Sequence, residues 1–170
     1  MLRAVGALGL LPLLVAASDD VCRLCSGPTP TEQALEKREI PVTLEITTKL
    51  DFSRAALSGT GGGAIELDPQ SGGRRVNGGI IDLGGSALAG KAIVRGEPGR
   101  SVRIDMPGSA QMTSSTGGVI EIAGLRTNLG GRTRLDSTGR LEFSFGGRLL
   151  VAGNVSGTFR ARIPITAQYE

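Results

Sequence analysis

After residue 40, apolar side chains recur at every second position through most of the chain, and nowhere there at helical spacing over a helical length. The last stretch is the clearest case. Phe159, Ala161, Ile163, Ile165, Ala167 and Tyr169 alternate with Arg160, Arg162, Pro164, Thr166 and Gln168. A period of two places one set of side chains on one face of an extended strand, so a chain patterned this way folds as half-buried strands. The same period marks residues 40–52, where Ile40, Val42, Leu44, Ile46, Leu50 and Phe52 take the apolar positions. It returns at Leu141, Phe143, Phe145, Leu149 and Val151. Between these runs lie shorter strand candidates at residues 64–68, 74–76, 91–95, 101–105 and 119–123, separated by glycine-bearing turns. Two hairpins are expected, one across residues 69–73 and one across Glu97-Pro98-Gly99. Several short strands with turn signals between them define an all-β fold, an Ig-like antiparallel sandwich over residues 40–170.

The terminal run is expected to be a single strand of that sandwich. Eleven extended residues reach roughly 36 Å, about twice an ordinary strand, enough to cross a whole core. Pro164 has no N–H and belongs on an edge or at a bulge. Arg160, Arg162 and Pro164 would also blunt an edge that otherwise recruits other chains.

The N-terminus reads as a signal for export. Arg3 precedes an apolar run over residues 4–15, which ends in the small residues Ala16-Ala17-Ser18 before Asp19-Asp20. That is the layout of a cleaved secretory signal over residues 1–18, and the run is too short for an ordinary membrane-spanning helix. No other stretch is long and apolar enough to cross a membrane, so the mature chain is expected in the periplasm or at the cell surface. Cys22 follows Asp19-Asp20-Val21, not a run of small residues, which argues against a lipoprotein anchor. Residues 19–39 form a flexible leader whose Glu32–Glu39 portion is too short for a stable isolated helix. Cys22 and Cys25 are the only cysteines. In an oxidising compartment an intrachain disulfide is the default. So small a loop would stabilise by about 2 kcal/mol at most and would staple none of the core. A link between chains is the other reading of the pair.

Composition removes most catalytic chemistry. The chain has no histidine, which excludes Ser-His-Asp and Cys-His catalysis and the commonest zinc ligand. One CxxC supplies two metal ligands, and no second pair completes a site. Asp51, Asp68, Asp82, Asp105 and Asp136 lie singly at strand ends and turns, without the repeated acidic positions of a calcium loop. The glycine-rich piece Gly59-Thr-Gly-Gly-Gly63 lacks the lysine of a phosphate loop. No catalytic residue, cofactor or metal is therefore expected. The Gly-Arg clusters at residues 72–75, 130–132 and 146–148 sit between alternating runs and read as turns flanked by exposed arginines. With four Phe, one Tyr and no Trp there is little to stack bases or sugars, so no nucleic acid partner is expected.

Five stretches, taken in order, carry a resemblance: LDFSRAAL, GGIIDLGG, VRGEPGRSVRID, LEFSFGGRL and GTFRARIPITAQYE. Over about residues 40–170 the chain resembles the bacterial domain-of-unknown-function family 4402. Members of that family look like subunits of chaperone–usher pili and spore-coat-U-type proteins. Those are Ig-like sandwiches that lack one strand, completed by a strand from a periplasmic chaperone and later from a neighbouring subunit. Such pilins end in an alternating strand with a penultimate aromatic and a glycine fourteen residues from the end; here these are Tyr169 and Gly157. The resemblance implies that Gly157, Phe159, Ala161, Ile163, Ile165, Ala167 and Tyr169 form a terminal assembly strand. It also implies a periplasmic chaperone and like subunits as partners, joined by strand addition.

A polymerising pilin also needs an alternating donor segment ahead of its first strand. Residues 19–39 offer only Val21, Leu24, Ala34 and Leu35, without alternation. Either residues 40–46 are the donor, or the domain completes its own sandwich. Two functions follow: an exported structural or adhesion-related subunit without enzymatic activity, or a self-contained secreted or periplasmic binding module for an unknown ligand. Export itself is checked by intact mass. The protein recovered outside the cytoplasm is expected to lack about the first eighteen residues, and a full-length mass would overturn the signal assignment.

Overall fold

The computed structural model describes residues 39–170 apart from 54, 60, 85–87, 132 and 154. The expected signal segment, the leader and the Cys22–Cys25 pair lie outside the described residues. Among those described, the chain forms strands and no helix. The strands are β1 (Thr43–Thr48), β2 (Ala55–Leu57), β3 (Gly63–Leu67), β4 (Arg74–Gly78), β5 (Ile80–Asp82), β6 (Gly90–Arg95) and β7 (Ser101–Asp105). They continue as β8 (Ser109–Ser114), β9 (Val119–Thr127), β10 (Thr133–Arg134), β11 (Arg140–Val151), β12 (Phe159–Arg160) and β13 (Thr166–Tyr169).

Every strand pairing is antiparallel, and the architecture is the expected β-sandwich. Strand β11 organises the larger sheet. One edge of it pairs with β9. Its other edge pairs first with β6, from Arg140↔Arg95 to Phe145↔Gly90, and then with β3, from Gly147↔Leu67 to Val151↔Gly63. Outward from β11 the sheet runs to β1 beyond β6, to β4 beyond β3, and through β9 and β8 to β12. A three-stranded sheet, β10-β7-β13, and a two-stranded ribbon, β2-β5, make up the rest.

Alternation explains what is buried. Phe143, Phe145 and Leu149 of β11 point inward, while Glu142, Arg148 and Leu150 are exposed. Strand β9 shows how a strand survives a change of phase. Ile120 and Ile122 are buried at even positions, but the next buried side chain is Leu125. Between Arg126↔Gly146 and Ala123↔Arg148, β9 uses one residue more than β11. Gly124 takes a φ of 59° there, a bulge conformation that glycine adopts without a Cβ clash. The expected strand at residues 119–123 therefore continues, with its inward face restored, to Thr127.

The core has two parts. Phe52, Ile65, Leu67, Ile120, Ile122 and Leu149 anchor the first. Ala92, Val94, Val102, Leu135, Phe143 and Phe145 form the second. Leu50 and Met106 pack against both.

The hairpin expected across residues 69–73 is present as β3-β4, closed by Asp68 N–H to the Gly73 carbonyl at 2.9 Å. The hairpin expected across Glu97-Pro98-Gly99 is not. Strand β6 lies between β1 and β11, whereas β7 pairs with β10 and β13 in the other sheet. Arg100 N–H does close a turn on the Glu97 carbonyl at 3.2 Å, but the flanking strands then diverge. Gly96 N–H donates to the Gly139 carbonyl and Gly99 N–H to the Asp136 carbonyl, so the connection docks on a neighbouring turn. Ala92, Val94 and Val102 then meet in the same core cluster across the sandwich, not edge to edge.

The β6–β11 junction tolerates no added atom at one point. A Cβ at Gly90 would collide with the outer atoms of the Phe145 ring. Gly90→Ala is expected to destabilise by about 1–3 kcal/mol through overpacking. Gly108→Ala, where nothing lies within 4 Å of the added atom, is expected to stay within about 0.5 kcal/mol of the parent. Denaturant melts of the two variants check the contrast.

Candidate functional site: an open slot at the sandwich edge

The terminal run stays extended and keeps its alternation, but it is not the single strand expected. Strand β12 pairs with β8 in the large sheet and β13 pairs with β7 in the small one. Residues 161–165 between them make no ladder bond among the described residues. Two features of the sequence explain the interruption. Pro164 has no N–H to offer. The opposing chain is also longer: from Phe159↔Ser114 to Tyr169↔Val102 it uses two residues more than the terminal run. The excess falls where Pro107-Gly108 separates β7 from β8. Burial nevertheless alternates without a break from Phe159 to Tyr169. Phe159, Ala161 and Ile163 pack on the first core cluster, and Ile165, Ala167 and Tyr169 on the second. Gly157, at a φ of 119°, turns the chain into this run.

Facing this run is β1, which among the described residues is paired on one edge only, to β6. Between them the sandwich is open. Ile46, Lys49 and Leu50 form one wall and Phe159, Arg160, Ala161, Ile163 and Ile165 the other. Met112 and Phe145 form the floor of a groove of about 540 Å³. Ile46 shares the inward parity of Val42 and Leu44 yet is 44% exposed, because no strand among the described residues covers it. The groove continues past Leu50, Met112 and Phe159 into a crevice of about 460 Å³. That crevice leads on, past Phe52, Ala55 and Phe159, to a smaller one of about 270 Å³ beside Leu57 and Ile80 of the β2-β5 ribbon.

The opposite end is shut by Tyr169. Its Oη accepts the Glu97 N–H at 2.6 Å and donates to the Ile40 carbonyl at 2.6 Å, so β13 is tied to the start of the domain. Only a glycine fits at residue 96, since a Cβ there would collide with that oxygen. The Arg100 guanidinium lies 4.2 Å from the centre of the Tyr169 ring and pairs with Glu39 and, at 3.2 Å, with Glu97. Its hydrogen bonds, first to Glu39 and then to Glu97, hold the Arg100 pKa above its ordinary value. Periodicity flags Tyr169 and Ile46 as inward residues. It carries no sign that Arg100, Glu97 and Ile40 converge on that tyrosine.

The site is thus a cleft walled mainly by apolar side chains, with polar atoms exposed in equal measure and a largely cationic rim, bounded by β1 on one side and extended backbone without ladder partners among the described residues on the other. Among the described residues no three cysteine, aspartate or glutamate side chains converge as a metal site would require. By its architecture the molecule is an antiparallel β-sandwich open along one edge. The chain belongs to the family described as domain of unknown function (DUF4402), whose model matches residues 42–169. No curated protein and no solved structure gives a significant match.

The connection that presents Glu97 rests on the turn begun by Asp136. The Asp136 carboxylate accepts from the Thr138 hydroxyl, the Thr138 N–H and the Arg140 N–H. The Thr138 hydroxyl first, and then the Arg140 N–H, lower its pKa below the ordinary 3.8. A carboxyl depressed in the folded state adds stability above its unfolded pKa and loses it as the pH falls through the folded value. Asp68, bonded by Gln70 N–H and Ser71 Oγ, is lowered in the same way. Melting temperature is therefore expected to fall on acidification below about pH 4. Asp136→Asn is expected to start lower at neutral pH and to show a shallower acid dependence, as a pH series of thermal melts would reveal.

Proposed function

We propose that this chain is an exported structural or adhesion-related subunit of the pilin type, without enzymatic activity, working in the periplasm or at the cell surface. Its sandwich is completed by an extended strand, supplied first by a periplasmic chaperone and then by a like subunit. One observation carries this reading: residues 161–165 lie extended and without ladder partners beside an apolar groove that exposes core side chains. A strand added there would cover Ile46, Leu50 and Met112 and give backbone groups on the slot's edges partners, the usual logic of β-augmentation. The terminal positions Gly157 and Tyr169 support the reading, as does a composition without histidine. Residues 43–48 of the same chain are engaged as β1 in its own sheet, which favours a strand from another polypeptide.

The test is recovery of the exported protein from its own host, with mass spectrometry of whatever remains bound and electron microscopy of the cell surface. The expected result is a complex holding a second polypeptide, with assemblies larger than a monomer at the surface. A cooperative, stable monomer with no bound partner would overturn the reading in favour of a self-contained binding module.

A further inference from the structure

The groove is not uniform along its length. At the Tyr169 end β13 and the start of the domain are bridged by one side-chain hydrogen bond to the Ile40 carbonyl. At the Ile163–Phe159 end the walls stand apart by the width of the 540 Å³ groove and run on into the next crevice. The gap is therefore a wedge, closed at one end.

Its rim is predominantly cationic, with Glu45 exposed on the outward face of β1 as the opposing charge. Lys49 and Arg160 line it, and Arg162 is exposed on the same outward face as Arg160. Among the described residues none of these three has a carboxylate within ion-pair distance. Opposite charges on neighbouring strands attract and like charges repel.

Resting on the strand-acceptor reading above, we propose that the Tyr169 clasp is a stop that sets the register of the added strand. The slot admits a segment of about seven residues, the length of the 159–165 wall at roughly 3.3 Å per residue. The segment carries apolar side chains at every second position and acidic ones between them. Tyr169, with Arg100 holding Glu39 and Glu97 around it, ends the pairing before Ala167. Tyr169 is then a positioning residue for the partner as well as a core residue.

The experiment uses the full mature chain and synthetic peptides. One peptide has about seven residues, with isoleucine or valine at alternate positions and aspartate or glutamate between them; a second replaces the acids with lysine; a third extends the acidic one to about eleven residues. Affinity is read by titration, and register by amide exchange along residues 159–169 and 40–48. The acidic peptide is expected to bind at least about tenfold more tightly than the basic one. Lengthening it is expected to change affinity by less than about twofold in the parent protein and to leave Ala167 and Tyr169 exchange unaltered.

In Tyr169→Phe the ring and its stacking remain while both hydroxyl bonds go. There the longer peptide should gain about fivefold or more, with protection spreading towards Tyr169 and Ile40. Arg100→Gln, which leaves the hydroxyl but frees Glu39, should give the same direction of change and guards against a folding defect peculiar to the tyrosine variant. Binding with the same length dependence in parent and both variants would overturn the stop while leaving the strand-acceptor reading intact. Equal affinity for acidic and basic peptides would overturn the charge selection. No binding of any alternating peptide would sink the acceptor reading itself, and the stop with it.

Discussion

The fold depends on the change of partner along one edge of β11. At its first half the strand is bonded to β6 and at its second half to β3, while β9 follows the other edge. A single twelve-residue strand therefore holds two sub-sheets end to end. Each sub-sheet brings its own core cluster: Phe143 and Phe145 lie with the β6 half, Leu149 with the β3 half. Because the clusters are displaced along β11, whatever closes the opposite side of the sandwich must be long enough to serve both. The terminal run does so by spanning two sheets in succession.

That solution leaves a gap among the described residues, and magnitudes say what a segment filling it must bring. Burying one Ile or Val is worth about 1.5–3 kcal/mol, but fixing each residue's backbone costs about 1–2 kcal/mol. A strand with an apolar side chain at every second position roughly balances these terms. Net hydrogen bonds of about 1 kcal/mol each then decide the outcome. A segment without alternation falls well short of balance. Residues 19–39, with four scattered apolar side chains, two prolines and no strand pattern, are such a segment by composition. A filler for the slot has to bring better patterning than this leader offers.

How much of this was legible beforehand follows from what periodicity measures. Alternation reports which side chains are buried, and it was a good guide there: Phe143, Phe145, Leu149 and the inward residues from Phe159 to Tyr169 lie as their spacing implies. It does not report which backbone edge a strand uses. Hence residues 91–95 and 101–105 look like the arms of a hairpin, although their connection passes between sheets. The last eleven residues likewise look like one strand, although their ladder is interrupted opposite Pro107-Gly108. Turn chemistry confined to a few residues, as at Asp68 to Gly73, is legible because the bonds that close it are local. The convergence of Tyr169, Glu97, Arg100 and Ile40 is not, since it joins residues as far as 129 apart in sequence.

The same residues that protect the open edge also define what it can accept. An uncovered strand edge invites indiscriminate pairing, and short strands, prolines and inconvenient charges are the usual deterrents. Here β1 is bulged between Ile46 and Thr48, and the terminal run carries Arg160, Arg162 and Pro164. A second copy of that run would bring its own arginines against these and be repelled. An extended segment with acids between its apolar residues would instead neutralise them. It would also have to be short enough to end where Tyr169 grips Ile40, so the clasp and the rim narrow by length and by charge an opening that apolar burial alone would leave unselective.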